Sequence, residues 1–252
     1  MRHRRLRALA TAAGHDLVPR RKLREPMAQL VHTLGLFGVD AVVDVGANEG
    51  QYATALRAHG WSGPILSIEP IPEVHALLMA RAAGDPGWTV LPPMALGAED
   101  GGTATLEISA ESDMSSLLPQ GELLRRISPT SAVARRVAVP LRRLDRLDLP
   151  LPPEAGRRLF VKLDVQGAEP AVLDGAAGLM PRVAGLQVEM ALVPLYEGER
   201  PWGDTVARLA HAGFALHLLI PGYYERKLGR QLQVDGVFYR TSLHAGPGAG
   251  PG

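Results

Sequence analysis

The chain of 252 residues has no cysteine. That excludes disulfides, thiolate nucleophiles and cysteine-ligated metals, and it suits a reducing, cytoplasmic setting. An excess of one charge sign is missing too: the formal net charge is +1, so the molecule as a whole shows no electrostatic footprint for nucleic acid. No apolar run approaches the roughly 20 residues of a membrane-spanning helix. The N-terminus has charge but no apolar segment ending in a small-residue cleavage site, so it does not read as a signal peptide. What remains is enough chain for one α/β domain with a buried core.

The boundaries of that domain follow from local bias. Residues 1–26 form a basic arm, with Arg2, Arg4, Arg5, Arg7, Arg20, Arg21, Lys22 and Arg24. Such an arm either meets an anionic lipid surface or phosphorylated carrier, or is simply a solvated, frayed terminus. Residues 244–252 are rich in Gly and Pro and are expected to be disordered. The domain proper spans 27–243, opening with a helix whose apolar positions are Leu30, Val31, Leu34 and Phe37.

The most informative stretch is Val42-Val43-Asp44-Val45-Gly46-Ala47-Asn48-Glu49-Gly50-Gln51. A β-branched run reads as a buried strand, a glycine turn follows, and Tyr52 to Arg57 continues as a helix. Strand, tight turn and helix in that order form the nucleoside end of a doubly wound sheet. Gly46 and Gly50 lack a Cβ and let the backbone approach a ligand. The spacing D-x-G-x-x-x-G has no third glycine where the dinucleotide fingerprint needs one, and no Gly-Lys-Ser/Thr follows, so a P-loop is excluded. Asp44 at the strand end would repel a pyrophosphate. An acidic strand end suits a cationic ligand, and S-adenosylmethionine, with its sulfonium and ammonium, is the commonest one for this topology.

Pro64 to Pro70 reads as a second strand ending in Glu69-Pro70. Glu69 lies about twenty residues past the glycine turn, where such folds place an acid for the ribose hydroxyls; the competing role is a helix-start acid before Pro72-Glu73. Ala95 and Leu96 would wall an adenine ring. The polar loop Ser109 to Leu117 reads equally as an active-site loop or a plain surface loop. Arg125 to Arg136 is poorly patterned, with a short strand after it at Val137 to Leu141.

A second acid-glycine turn occurs at Leu159-Phe160-Val161-Lys162-Leu163-Asp164-Val165-Gln166-Gly167-Ala168-Glu169, followed by a helix from Pro170. Asp164 falls at the carboxyl end of a central strand, where these sheets bind ligands, or else caps the next helix. Val183 to Met190 is a further strand carrying Glu189 near its end. If the two strands are neighbours, two carboxylates face one crevice. Such a pair acts as base and orienter, or as ligands for a hard cation such as Mg²⁺. His217 is a rival base inside an apolar strand, and Tyr223-Tyr224 either stack on a sugar or polyketide face or pack on the surface.

These pieces together resemble the FkbM family of S-adenosylmethionine-dependent methyltransferases. The likeness rests on Asp44 to Gln51, Glu69-Pro70, Ala95-Leu96-Gly97, Lys162 to Glu169 and Val188-Glu189, and runs from about Val42 to Arg240. It implies the class I, Rossmann-like fold: a doubly wound, seven-stranded, mostly parallel sheet with an antiparallel last strand. It also implies O-methylation of sugar, glycolipid, polysaccharide or polyketide hydroxyls. Carried across by position, Asp44, Gly46, Asn48 and Gln51, with Ala47 and Gly50 in the same turn, would surround the methionine part of the cofactor. Glu69 and Pro70 would face its ribose. Asp164 is expected as base or metal ligand, with Glu189 as its partner. Two alternatives stay open on the residues alone: a nicotinamide-dependent reductase, and a non-catalytic S-adenosylmethionine-binding domain.

Overall fold

The structure is a computed structural model and describes residues 25–243 apart from 111, 153 and 154. Most of the basic arm and all of the expected tail lie outside the described residues. The elements in order are α1 (Pro26–Leu36), β1 (Ala41–Val45), α2 (Gln51–Ala58), β2 (Ile65–Ile68), α3 (Pro72–Ala82), β3 (Trp88–Val90), β4 (Ala95–Leu96), β5 (Thr103–Ser109), α4 (Glu122–Ile127), β6 (Val133–Arg142), β7 (Leu159–Leu163), α5 (Glu169–Gly175), β8 (Val183–Ala191), α6 (Trp202–His211), β9 (Phe214–Pro221), β10 (Tyr224–Glu225), β11 (Arg230–Gln231) and β12 (Gln233–Arg240).

Seven strands form one sheet in the order β3-β2-β1-β7-β8-β12-β9. Neighbours from β3 to β8 pair in parallel, while β12 is antiparallel to both β8 and β9. The expected class I methyltransferase sheet, with its last strand reversed, is what the chain forms. The strand order changes direction between β1 and β7, and the crevice beyond their carboxyl ends is where such sheets take ligands.

The central strands are buried on both faces, as parallel sheets require. Ala41, Val43 and Val45 of β1 and Leu159, Val161 and Leu163 of β7 pack on one side. Val42 and Phe160 pack on the other, with Leu30, Leu34, Leu56 and Tyr239. On that second side the apolar layer is interrupted by a polar row. Register places Ser67 beside Asp44, Asp44 beside Lys162, and Lys162 beside Gln187. Each residue sits singly in its own strand, and only pairing brings them into a line. The row is closed at its ends by one side chain from β3 and one from α2: Trp88 Nε1 donates to Ser67 Oγ at 2.9 Å, and the Tyr52 hydroxyl donates to Gln187 Oε1 at 3.0 Å.

A three-stranded satellite sheet, β4-β6-β5, follows β3. The stretch from Arg125 to Arg136, expected as unpatterned, is ordered here: α4 ends in it and β6 begins in it at Val133. The sequence pattern is faint because the first half of β6 is largely exposed. Pairing with β5 and ion pairs hold it instead, Arg136 to Glu107 at 2.7 Å and Arg135 to Glu73 at 2.6 Å. This sheet carries the segment between β5 and β6 over the carboxyl ends of the main strands.

Candidate functional site

The site is built where the two acid-glycine turns touch. Gly46 follows β1 with φ 75°, and Asn48 has φ 46°. A Cβ on Gly46 would lie 1.8 Å from the carbonyl oxygen of Asp164, so only glycine lets the turn after β1 nest against the turn after β7. The first turn is tied to β2 as well, since the amides of Gly46 and Ala47 both donate to the Ile68 carbonyl at 3.0 and 3.1 Å. Beyond β2, Glu69 fixes the geometry. Its Oε2 accepts from the Asn48 amide and its Oε1 from the Ile71 amide, each at 2.9 Å. Burial pushes the Glu69 carboxyl up to about 7, against the pull of those two amides. Each oxygen keeps a lone pair for a further donor.

A cavity of about 380 Å³ opens beside these turns, within the roughly 300–1,000 Å³ typical of small-ligand sites. Of the residues expected to bind the cofactor, Gly46, Asn48, Glu69, Pro70, Ala95 and Leu96 line it. Asp44, Ala47, Gly50 and Gln51 do not form its wall. Gly50 instead gives room to Trp88, whose ring would lie 2.7 Å from a Cβ there. Gln51 begins α2 and is exposed. Both expected acceptor-side acids, Asp164 and Glu189, line the cavity. The segment Asp113 to Leu117 supplies another wall, so the polar loop after β5 belongs to the site and not to plain surface.

Asp44 lies beneath the cavity and is fully buried. The expected attraction of a ligand cation is supplied from within the protein. Lys162 Nζ stands 3.4 Å from Asp44 Oδ1 and 3.3 Å from Asp164 Oδ2, and 5.0 Å from the centre of the Tyr52 ring. Burial alone would discharge Lys162, but Asp44, Asp164 and Asp235 hold its pKa above the ordinary lysine value. Burial likewise raises the Asp44 carboxyl, and Lys162 only partly offsets it. Asp44 Oδ1 has no hydrogen-bond partner among the described residues, so the 3.4 Å contact to Lys162 is a charge contact without a close hydrogen bond.

The second turn brings the acids together through one amide. Gln166 Nε2 donates to Asp164 Oδ1 at 3.0 Å and to Glu189 Oε2 at 2.7 Å. Burial, then Asp164 and Glu169, push the Glu189 carboxyl well above its ordinary value. Glu169 is raised to about 8 by burial and accepts from the amides of Val165 and Gly167 at 2.9 and 3.3 Å, holding the turn. Asp235, opposite Glu189 on β12, is raised to about 6 by burial. Of the pair, Asp164 therefore has the ammonium contact and Glu189 the raised proton affinity.

The cation expected as an alternative between Asp164 and Glu189 finds no support. The amide of Gln166 already donates to both acids, and among the described residues no group of three or more His, Asp or Glu side chains is arranged to hold a metal ion. His217 does not line the cavity; its ring packs edge-on against Phe37 and Tyr239 at 5.2 and 5.3 Å. Tyr223 lines the cavity, while Tyr224 is half exposed on the hairpin beyond it. Lys162, Gln166 and Tyr196 are participants that the sequence did not single out. A lysine inside an apolar strand carries its own signal, since a buried ammonium needs an acid beside it. Gln166 lay within the quoted motif, and Tyr196 carries no sequence signal.

The methyltransferase FkbM domain model matches residues 44–216. No curated protein matches the chain. Solved structures of similar fold include the 23S rRNA methyltransferase ErmE, at 14% identity over 86% of this chain and 68% of that one, with a TM-score of 0.44. Magnesium protoporphyrin IX methyltransferase from Synechocystis PCC 6803 with bound SAM matches at 12% identity, covering 85% and 77%, with a TM-score of 0.46. A TehB-like SAM-dependent methyltransferase from Corynebacterium glutamicum matches at 12% identity, covering 94% and 95%, with a TM-score of 0.42. Likenesses this distant carry nothing about substrate.

Proposed function

The chain belongs to the FkbM methyltransferase family, and from that premise we propose that it transfers the methyl group of S-adenosylmethionine to a hydroxyl of a sugar, glycolipid, polysaccharide or polyketide-type acceptor. The observation that carries the reading is the convergence of Asp164 and Glu189 on the same cavity that Gly46, Asn48 and Glu69 line. The nicotinamide alternative falls with the family assignment.

The donor end fits the residues present. Glu69 offers a buried carboxylate with one free lone pair per oxygen to two ribose hydroxyls, and Ala95 and Leu96 give an apolar wall for a flat base. When bound, S-adenosylmethionine supplies an electrophilic methyl on a sulfonium. The chain's own work is positional and protolytic. Walls from Ser115, Tyr223 and Gln233 bring hydroxyls and an amide to a polar acceptor. Holding a nucleophilic oxygen in attack geometry can lower a barrier by up to roughly 7–11 kcal/mol. An aliphatic hydroxyl is a poor nucleophile until its proton leaves, so a base in reach supplies a further ~10²–10⁴-fold. Asp164 takes that proton, and Glu189, joined to it through the Gln166 amide, orients the acceptor.

The test is methyl transfer from labelled S-adenosylmethionine to a panel of glycosides, glycolipids and polyketide alcohols by wild type and Asp164→Asn. Product from wild type and a loss of about 10²–10⁴-fold in the variant support the reading. Full turnover in Asp164→Asn removes Asp164 as base. Tight cofactor binding with no product on any acceptor favours a non-catalytic binding domain.

A further inference from the structure

Among the described residues, Gln166 is the one whose side chain hydrogen-bonds to both acids, and it also reaches the loop that walls the acceptor side. Its amide orientation is fixed by its partners, because two carboxylates can only accept and a phenol can donate. Nε2 therefore faces Asp164 and Glu189, and Oε1 accepts from the Tyr196 hydroxyl at 2.9 Å. The Tyr196 oxygen is also 3.1 Å from the Met114 carbonyl, and Ser116 Oγ donates to the Gln166 carbonyl at 2.6 Å. Gln166 and Tyr196 are both buried. The backbone of Gln166 has φ 53°, a region that side chains other than glycine seldom adopt. A residue held there, buried and with its amide and its main-chain carbonyl engaged, is fixed in place by its surroundings.

We propose that Gln166 is a positioning residue for methyl transfer: it clamps Asp164 and Glu189 in one geometry and ties that geometry to the wall formed by Met114 to Ser116. The acid pair and the acceptor wall are then set together. This inference rests on the reading of Asp164 and Glu189 as the acceptor side. Without the amide, two carboxylates would face each other with nothing between them to accept from. Gln166→Glu keeps the shape and loses the shared donor, so it fails as fully as Gln166→Ala. Tyr196→Phe removes a single hydroxyl and leaves the acids bridged, but it cuts the side-chain tie from Gln166 to Met114 and leaves the wall held by the Ser116 bond to the Gln166 carbonyl alone.

Hydrogen exchange on the whole chain tests the tie without any acceptor. The amides of Ser116 and Leu118, bonded to the Glu107 carbonyl and to Ser116 Oγ, are expected to exchange at least tenfold faster in Gln166→Ala and in Tyr196→Phe. Binding of S-adenosylmethionine, read by calorimetry, should change less than threefold, a readout that a general loss of structure would move. On an acceptor that wild type methylates, Gln166→Ala and Gln166→Glu should lower kcat at least thirtyfold with the KM for S-adenosylmethionine unchanged. Unchanged exchange in both variants, or an unchanged kcat, overturns the proposal. If Gln166→Ala does not fold, Tyr196→Phe decides alone. If wild type methylates nothing, the functional reading has failed, while the exchange result still decides whether Gln166 ties the wall.

Discussion

Replacing Lys162 by Met should expose how much of this fold depends on one buried ammonium. Among the described residues, Lys162 is the cation that pairs with the fully buried Asp44, whose side chain otherwise accepts a hydrogen bond from Ser67 at 3.5 Å. Removing one partner of a buried pair costs about 3–5 kcal/mol, because the remaining charge is left uncompensated. For a domain of this size that corresponds to a fall in Tm of roughly 6–20 °C. The loss should depend on pH. Burial already raises the Asp44 carboxyl, and without the ammonium it rises further. A carboxyl held above its unfolded value binds protons in the folded state that the unfolded chain has released, so stability falls as pH rises past the ordinary carboxylate range. The penalty of Lys162→Met should therefore be largest near pH 8 and shrink toward pH 5. Adding Asp44→Asn should recover much of it, since the fully buried carboxylate that Lys162 faces is then neutral. Urea denaturation of wild type and both variants at both pH values measures this. A penalty below 1 kcal/mol at pH 8, or an equal penalty at both pH values, would refute the electrostatic reasoning.

Two further expectations concern the donor half of the site. Affinity for S-adenosylmethionine should weaken as Glu69 takes a proton: with its carboxyl at about 7, calorimetry at pH 6 should give a Kd up to about tenfold weaker than at pH 8, and a flat profile would take Glu69 out of the ribose site. Gly46→Ala should destabilise by about 2–4 kcal/mol, because its Cβ would strike the Asp164 carbonyl at 1.8 Å from a left-handed backbone. Gly60→Ala, with the same hand of backbone and nothing within 4 Å of the added atom, should cost only about 1 kcal/mol; equal losses in urea denaturation would show that contact between the turns is not what Gly46 provides.

The sheet was legible because its central strands are short apolar runs broken by single polar residues, and β1 and β7 each lead into a turn with glycine. The two acid-glycine turns announced themselves for the same reason, and their meeting follows from β1 and β7 being neighbours. What escaped is what arises only from pairing. Asp44 reads in isolation as an acid waiting for a ligand cation, yet the strand beside it brings Lys162 into register with it. Gln166 reads as a spacer within a motif until β8 places Glu189 within reach of its amide. β6 was faint because its stability comes from a partner strand and from arginines paired across the surface, neither of which leaves a period in its own sequence.

The central claim is a division of the cavity into a donor half at Glu69 and an acceptor half at Asp164. Calorimetry of S-adenosylmethionine binding to wild type, Glu69→Ala and Asp164→Asn tests it most directly. Loss of two charge-assisted hydrogen bonds, at about 1.5–3 kcal/mol each, predicts that Glu69→Ala binds at least tenfold more weakly. Asp164→Asn should bind within about threefold of wild type, a difference under roughly 0.7 kcal/mol. Undiminished binding by Glu69→Ala, or a collapse of binding in Asp164→Asn, would contradict the division.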